Sequence, residues 1–331
     1  MRLKMNNSNR TSVTEFIFLG FSNQPRVQVM LFVVFLASYL LTVFGNIVII
    51  SVVRADPRLH TPMYFFLINL SFLDIYYVTT NVPQMLMNLV TRWKTISFWG
   101  CVIQMYFSLA FGMTECFLLG VMAYDRYVAI CQPLHYAAVM NWKLCVQLAA
   151  FCWGSSLMSS LIINLFTLQL PFCGPNILNH YFCEVPAVLS LACTDTSLAE
   201  MVVFVFSIII VFLPFLLIIV SYTYIFVAVL QIQTTSGRAK AFSTCASHLT
   251  VVAIFYGTAI FMYMRPRSKS SQDRDKVIAM FYTIIMPMLN PLIYSLRNKD
   301  VKDVLRRSLV SRPLINETVS RFAPFLHKGK H

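Results

Sequence analysis

Charged residues leave long gaps in this chain, and the gaps recur. No Asp, Glu, Lys or Arg falls between Arg26 and Arg54. The stretch 27–53 is apolar enough to cross the roughly 30 Å of a bilayer's hydrocarbon, which takes about 20 helical residues. Further runs of this kind predict helices at 60–86, 101–128, 143–165, 198–230, 241–264 and 277–296. Their apolar positions are continuous rather than alternating, and backbone groups in lipid must be satisfied internally, so helices are favoured over the strands of a barrel. The expected fold is an all-α membrane protein, a seven-transmembrane helix bundle over 27–296.

Composition narrows this further. Of 331 residues 58% are hydrophobic and 12% charged, and the mean hydropathy is +0.68. Soluble domains carry about twice that charge, and disordered chains have low hydropathy, so an ordinary cytosolic enzyme and a mostly disordered protein are both excluded. The net charge of +13 comes from 26 Lys and Arg scattered through loops and tail, which points to anionic lipid headgroups rather than nucleic acid. Residues 1–26 are polar and lack the apolar core of a signal peptide, so this N-terminal segment is expected to be retained while the first span directs insertion.

Seven crossings put the chain ends on opposite sides. With the N-terminus outside, Arg54, Arg58, Arg126, Lys143, Arg238 and Lys240 lie inside, against Arg92, Lys94, Arg265, Arg267, Lys269, Arg274 and Lys276 outside. Only the basic segment after 296 tips that balance inward. Sequons and cysteines argue more strongly. Asn6 and Asn9 head glycosylation sequons that need the lumenal side, which leaves the sequon at Asn316 unused in the cytoplasm. Cys101, Cys173, Cys183 and Cys193 share that outer face, where an oxidising compartment favours two bridges, whereas Cys116, Cys131, Cys145, Cys152 and Cys245 fall in helices or on the reducing face. The N-terminal segment is therefore expected outside, and 311–331 as a cytoplasmic tail.

Ionisable residues within spans mark function. Asp74 in the second span and Glu115 in the third lie at similar depth, with Asn46 and Asn290 mid-helix in the first and seventh. Two carboxylates in one dry site cannot both stay ionised without a cation or a proton. A sodium ion on hard oxygen ligands would satisfy them, as would protonation or hydrogen bonds to neighbouring Asn and Ser. At the inner end of the third span Asp125 and Arg126 are adjacent, fit for an ion pair that a partner could break; alternatively Arg126 snorkels to the headgroups. The stretch 297–310 sets Val301, Val304 and Leu305 against basic residues, the pattern of a short amphipathic helix on the inner leaflet. Pro214, Pro287 and Pro291 would bend the fifth and seventh helices.

Several segments carry a resemblance in the same order and spacing: Gly45-Asn46, Leu59 to Leu67 (LHTPMYFFL), Met122 to Cys131 (MAYDRYVAIC), Pro133 to Tyr136, Ser221-Tyr222, Lys240 to Leu249 (KAFSTCASHL) and Pro287 to Tyr294 (PMLNPLIY). Over roughly 15–308 the chain resembles vertebrate olfactory receptors, which are rhodopsin-like G protein-coupled receptors. Phe172 to Asn176 and the three loop cysteines are similar to the tetrapod-type class. The resemblance implies bridges Cys101–Cys183 and Cys173–Cys193, where spacing alone leaves three connectivities open. It also implies an allosteric sodium ion among Asp74, Glu115 and Asn290, with no cofactor and no other metal. Asp125, Arg126 and Tyr127 would form the motif that meets the G protein, with Tyr222 and Tyr294 as its partners in the active state.

Carried over by position, the resemblance implies a cavity lined by Met105, Ser108, Leu109, Gly112 and Met113 of the third span and Phe206, Ser207 and Ile210 of the fifth. Tyr256, Ala259, Ile260 and Tyr263 would come from the sixth, and Met280 and Thr283 from the seventh. A wall without an ionised residue suits a small, neutral, volatile organic ligand. Burial would hold it at about 25 cal/mol per Å², and Ser108, Ser207, Thr283 and the tyrosines would orient it as hydrogen-bond donors. The implied protein is a plasma-membrane odorant receptor that activates a stimulatory heterotrimeric G protein and raises cyclic AMP; expressed outside the nose, it would sense metabolites or fatty acids. No enzyme is expected. His180 and Glu184 stand four apart without a second histidine nearby, and His135 and His248 are placed at cytoplasmic helix ends. No internal repeat marks a transporter.

Overall fold

A computed structural model describes residues 13–22, 24–173, 176–263, 272–297, 301 and 304. Seven long helices form a bundle: α1 Pro25–Ala55, α2 Pro62–Val90, α3 Phe98–Cys131, α4 Trp142–Leu168, α5 Ser197–Gln231, α6 Thr235–Tyr263 and α7, 272–297. Six are long and apolar enough to span a bilayer. The apolar part of α6 is shorter, Cys245–Phe261, and polar turns from Thr235 extend it at one end. The helix ends depart from the charge-based bounds because caps and prolines set them. Pro25 and Pro62 stand in the first turns of α1 and α2, where a missing N–H costs nothing. Ser97 caps α3 by accepting from the Gly100 N–H at 3.1 Å, and Asn141 caps α4 through the Leu144 N–H at 3.0 Å.

The bends expected at Pro214 and Pro287 take the form of widened turns. A π-type turn, Ile208–Phe212, precedes Pro214 in α5, and another, Phe281–Ile285, precedes Pro287 in α7. A proline ring collides with the carbonyl four residues back, and the wider turn makes room for it. Two prolines, Pro214 and Pro291, each meet a glycine of a neighbouring helix. In lipid the helices gain little from hydrophobic burial against each other, so close fit decides their association. A Cβ on Gly45 would lie 3.1 Å from Pro291, and one on Gly120 would lie 3.0 Å from Pro214. Glycine thereby lets α1 approach α7, and α3 approach α5.

One end of the bundle carries a three-stranded sheet that the charge pattern did not foretell. The central strand β1, Glu15–Phe18, runs antiparallel to β2, Thr95–Ser97, and parallel to β3, Ile177–Leu178. Phe16 and Phe18 face inward and are buried, as the two-residue period of a strand requires. From Val13 onward the N-terminal segment is thus part of the fold. The sequons at Asn6 and Asn9 and the tail 311–331 lie outside the described residues. Of the amphipathic stretch 297–310, only Val301 and Val304 are described beyond α7, both helical and buried.

The α4–α5 connection folds over the sheet end as a lid. Disulfides Cys101–Cys183 (Cα–Cα 5.4 Å) and Cys173–Cys193 (5.8 Å) join it to α3 and close it on itself. The Cys183 N–H donates to Gln104 Oε1 at 2.8 Å. Lys276 of α7 donates to the Gly20 carbonyl at 3.1 Å and to Asn179 Oδ1 at 2.9 Å, tying the N-terminal segment, lid and α7 together. His180 is buried in the lid against the rings of Tyr181 and Phe182. Burial, and then the ammonium of Lys276, hold its imidazole down at about 3, so it stays neutral at physiological pH.

Two outcomes follow for the purified protein in detergent. Gly120→Val drives carbons into Pro214, and overpacking of this kind costs about 1–3 kcal/mol, so its melting temperature falls by several degrees; Gly154→Val, with nothing within 4 Å, leaves it unchanged. In the unfolded chain His180 titrates at its ordinary 6.5 while the folded one holds near 3, so stability is lost as pH drops below that ordinary value, by about 2 kcal/mol at pH 5. Thermal melts of wild type and His180→Gln at pH 7.5 and 5 check this: the variant loses less on acidification, and equal losses would refute the assignment.

Candidate functional site

Beneath the lid lies about 870 Å³ of atom-free space, counted with its open mouth. Met105, Ser108, Leu109, Gly112, Met113 and Cys116 of α3 form one wall at the three-and-four spacing of a helix face. Opposite stand Val203, Ser207, Ile210 and Val211 of α5, Phe255 and Ala259 of α6, and Tyr282 of α7. Tyr77 of α2, Ile163 of α4 and the lid residues Phe182, Cys183, Glu184, Val185 and Pro186 complete it. Of the residues expected here, the structure brings together Met105, Ser108, Leu109, Gly112, Met113, Ser207, Ile210 and Ala259. It does not bring Phe206, Tyr256, Ile260, Met280 or Thr283 to the wall, and the Tyr263 side chain lies outside the described residues.

These departures are mostly errors of phase. One residue along a helix turns the side chain by about 100°, so Phe255 and Ala259 face the cavity while Tyr256 and Ile260 do not. Tyr256 instead lies below, donating to the Cys116 carbonyl at 3.0 Å with its ring against Phe215. In α7 the wide turn changes the register, which presents Tyr282; Thr283 is buried, donates to the Ala279 carbonyl at 2.8 Å and accepts from Tyr181 at 2.7 Å. Lid residues escape any count along helices. The signal for them was the cysteine pairing, because a bridge from Cys183 to the start of α3 draws its neighbours over the cavity.

The expected wall did not include a carboxyl, and the structure adds one: Glu184 lines the cavity and is buried. Tyr282 donates to its Oε1 at 2.8 Å, and His180 Nε2 lies 3.5 Å from its Oε2.

Deeper in the bundle Asp74, Glu115, Asn46 and Asn290 are all buried. Asn290 Nδ2 donates to both oxygens of Asp74, at 3.0 and 3.2 Å, and Asn46 Nδ2 donates to the Thr42 carbonyl at 3.0 Å. Both Glu115 oxygens, Asn46 Oδ1 and Asn290 Oδ1 lack a well-formed hydrogen bond among the described residues. The centre therefore gathers acceptor oxygens in excess of donors, the donor set that a hard cation takes.

At the end away from the sheet, no ion pair joins Asp125 to Arg126 among the described residues. Consecutive helical residues do not face each other: Asp125 accepts from Tyr136 at 2.8 Å, while the Arg126 guanidinium contacts the Met63 thioether. Burial, then the Asp125 carboxylate, push the Tyr136 phenol up, which keeps its hydrogen on that bond. Tyr127 accepts from Gln132 at 3.3 Å, and the Tyr294 hydroxyl has no hydrogen-bond partner among the described residues. Tyr222 is tied to His248 Nδ1 at 2.8 Å, and His248 Nε2 donates to the Leu119 carbonyl at 3.1 Å. His248 is thus a buried bridge between α3, α5 and α6 rather than a residue at a cytoplasmic helix end, because α6 begins at Thr235 and places it turns inside. His135 is exposed.

A family model described as olfactory receptor matches residues 35–312. Olfactory receptor 2G3 of Homo sapiens is 56% identical over 301 residues, 91% of this chain and 97% of its own length. Olfactory receptor 2B2 of Homo sapiens is 52% identical over 315 residues, 95% of this chain and 88% of its own, and olfactory receptor 2B6 of Mus musculus is 52% identical over 310 residues, 94% and 99%. With a lidded cavity in a seven-helix bundle and this likeness over nearly its whole length, the chain belongs to the olfactory receptor family, G protein-coupled receptors of the membrane and not enzymes.

Proposed function

We propose that this receptor binds small, mostly apolar volatile molecules in the cavity beneath the lid, activates a stimulatory heterotrimeric G protein and so raises cyclic AMP. The apolar cavity under the lid carries this reading. Its walls are chiefly Met, Leu, Ile, Val and Phe, with only a few polar groups converging from α3, α5, α7 and the lid, the make-up of a small-molecule site. Methionines at 105 and 113 make that wall adaptable.

The sheet end is the extracellular one in this reading. Both disulfides gather there, and disulfides persist in oxidising compartments. Segment 1–26 with glycans at Asn6 and Asn9 then lies outside, the receptor domain spans 27–296 of the plasma membrane, 297–310 rests on the inner leaflet among lipid headgroups, and 311–331 is the cytoplasmic tail. Asp125, Arg126 and Tyr127 face the G protein. Arg126, which among the described residues contacts the Met63 thioether and makes no salt bridge, is the group a partner can recruit, with Tyr222 and Tyr294 joining it once α6 moves outward. An odorant drives that shift only by as much as it favours the active state.

Asp74, Glu115 and Asn290, with their surplus of acceptor oxygens, would hold a sodium ion that neutralises the two carboxylates and opposes the contraction of activation.

Two measurements test this reading. In cells carrying the stimulatory G protein and screened with a volatile library, Arg126→Ala at matched surface level abolishes the cyclic AMP response; undiminished signalling overturns the coupling mechanism. Purified wild type melts about 2 °C or more higher in sodium chloride than in choline chloride of equal ionic strength, the size of a binding linkage near 1 kcal/mol. Asp74→Asn and Glu115→Gln lose that difference, and a wild type indifferent to sodium removes the ion from the scheme.

A further inference from the structure

Apart from the cavity, the sheet end of the bundle holds a second recess, between the N-terminal segment, α2 and the lid. It has about 280 Å³ of atom-free space counted with its open mouth, and a water-sized body has room there for little more than itself. Phe18 and Phe21 of the N-terminal segment and Met85 and Leu89 of α2 form its apolar sides. The other lining residues are Gly20, Ser22, Asn88, Lys94 and Tyr181, and none of them carries a carboxyl.

Asn88 is 8% exposed, and its amide is oriented from the backbone outward. Gln84 Nε2 donates to the Thr95 carbonyl at 3.1 Å, and the same nitrogen donates to Asn88 Oδ1 at 3.1 Å. Flipping the Asn88 amide would set two donors against each other, so Oδ1 has to face Gln84. Neither Gln84 nor Thr95 lines the recess, which leaves Nδ2 as the end of the Asn88 amide turned to it. That nitrogen has no hydrogen-bond partner among the described residues, and a buried N–H without an acceptor is costly.

The nearby oxygens face other donors. The Ser22 carbonyl accepts from Lys94 Nζ at 3.3 Å and Gln28 Nε2 at 2.9 Å, and the Gly20 carbonyl accepts from Lys276 Nζ at 3.1 Å. The Ser22 hydroxyl accepts from the Gln24 N–H at 3.1 Å. Tyr181 gives its hydrogen to Thr283, whose own goes to the Ala279 carbonyl. What Lys94 brings to the wall is positive charge; no further hydrogen of its ammonium is counted on. An orphaned amide N–H and an ammonium on the walls of so small a space, with no carboxyl among them, suit a compact anion.

We propose that this recess is a second binding site, for a monovalent anion of the size of chloride, held by Asn88 Nδ2 and by the charge of Lys94. It stands whatever the main cavity binds. Its occupant bears on that cavity through the lid, because Tyr181 lines the recess while its neighbour Phe182 lines the cavity. Tyr181 also holds Thr283, next to Tyr282 of the cavity wall.

The test uses the purified full-length receptor in detergent, with chloride titrated in against gluconate, an anion too large for the recess. Sodium and ionic strength are held constant, which keeps any ion at Asp74 and Glu115 out of the comparison. Wild type melts about 2 °C or more higher in chloride, and the rise saturates, as binding linkage requires. Asn88→Asp keeps an oxygen for Gln84 but puts a second oxygen in place of the N–H, and Lys94→Gln keeps a donor for Ser22 without the charge. Each loses most of the rise. Equal melting of wild type in the two salts, the result if water alone satisfies the N–H, overturns the proposal. So does a rise that grows without saturating, or one kept for the most part in either variant. Should Asn88→Asp fail to fold, the wild-type titration and Lys94→Gln decide. Cyclic AMP plays no part in these readings, so failure of the anion site and failure of the odorant reading are told apart.

Discussion

Hydrocarbon accepts no hydrogen bonds, so every polar hydrogen in the bundle has to be spent inside the protein. The rule holds at the smallest scale. Thr42, Thr114, Ser156 and Thr167 each return their hydroxyl hydrogen to the carbonyl four residues earlier in their own helix. Between helices, Ser160 of α4 donates to the Tyr106 carbonyl of α3 at 2.7 Å, and Trp153 donates to Asn69 of α2 at 3.2 Å. Such bonds stabilise the bundle by modest amounts each, and their larger consequence is chemical. A core in which asparagine amides are turned toward carboxylates and carbonyls leaves oxygens gathered at its centre.

The sequence reveals the bundle because the same rule forbids charge over long runs. The gap from Arg26 to Arg54 becomes α1, and even the charge-bearing spans around Asp74 and Glu115 are found where expected. It reveals the sheet poorly, since Glu15–Phe18 is four residues long and its partners lie at 95–97 and 177–178; nothing local shows that Phe16 and Phe18 have a lid to pack under. The cavity falls between these cases. On α3, a regular helix, the positions carried over from the resemblance, Met105, Ser108, Leu109, Gly112 and Met113, lie on the cavity wall. On α5 and α7 the wide turns before Pro214 and Pro287 break the regular count, and on α6 a shift of one residue exchanges Tyr256 for Phe255. Glu184 was legible only as one half of a weak metal pair with His180, because its place at the wall depends on the bridge at Cys183.

The lid joins parts that are otherwise far apart in the chain. Gln104 anchors it to α3 and, through its Nε2, to the Thr80 carbonyl of α2 at 3.1 Å. Lys276 joins it to α7 and to Gly20, and Tyr181 reaches Thr283. Several of these contacts sit at the cavity: Gln104 is beside Met105, Thr283 is beside Tyr282, and Cys183 lines it together with Glu184. The lid therefore fixes the roof of the cavity to α2, α3 and α7.

A route from the cavity to the opposite end follows from where the wide turns stand. In α5 the segment that touches the cavity, Ser207 to Val211, overlaps the wide turn Ile208–Phe212. Two residues beyond the turn, Pro214 rests on Gly120 of α3, and two helical turns further Tyr222 holds His248 of α6. A wide turn carries one residue more than a regular one, so its conversion rotates everything after it by about 100°. The close fit of Pro214 on Gly120 leaves no room for such a rotation by gradual creep, since packed interfaces switch between discrete arrangements rather than deform smoothly. Contacts at Ser207, Ile210 and Val211 that prefer one form of the turn thus bear on whether Tyr222 stays with His248. That bond ties α5 to α6, Tyr222 is the residue that joins Arg126 in the proposed mechanism, and a ligand worth a few kcal/mol of preference at the turn is enough to change which form prevails.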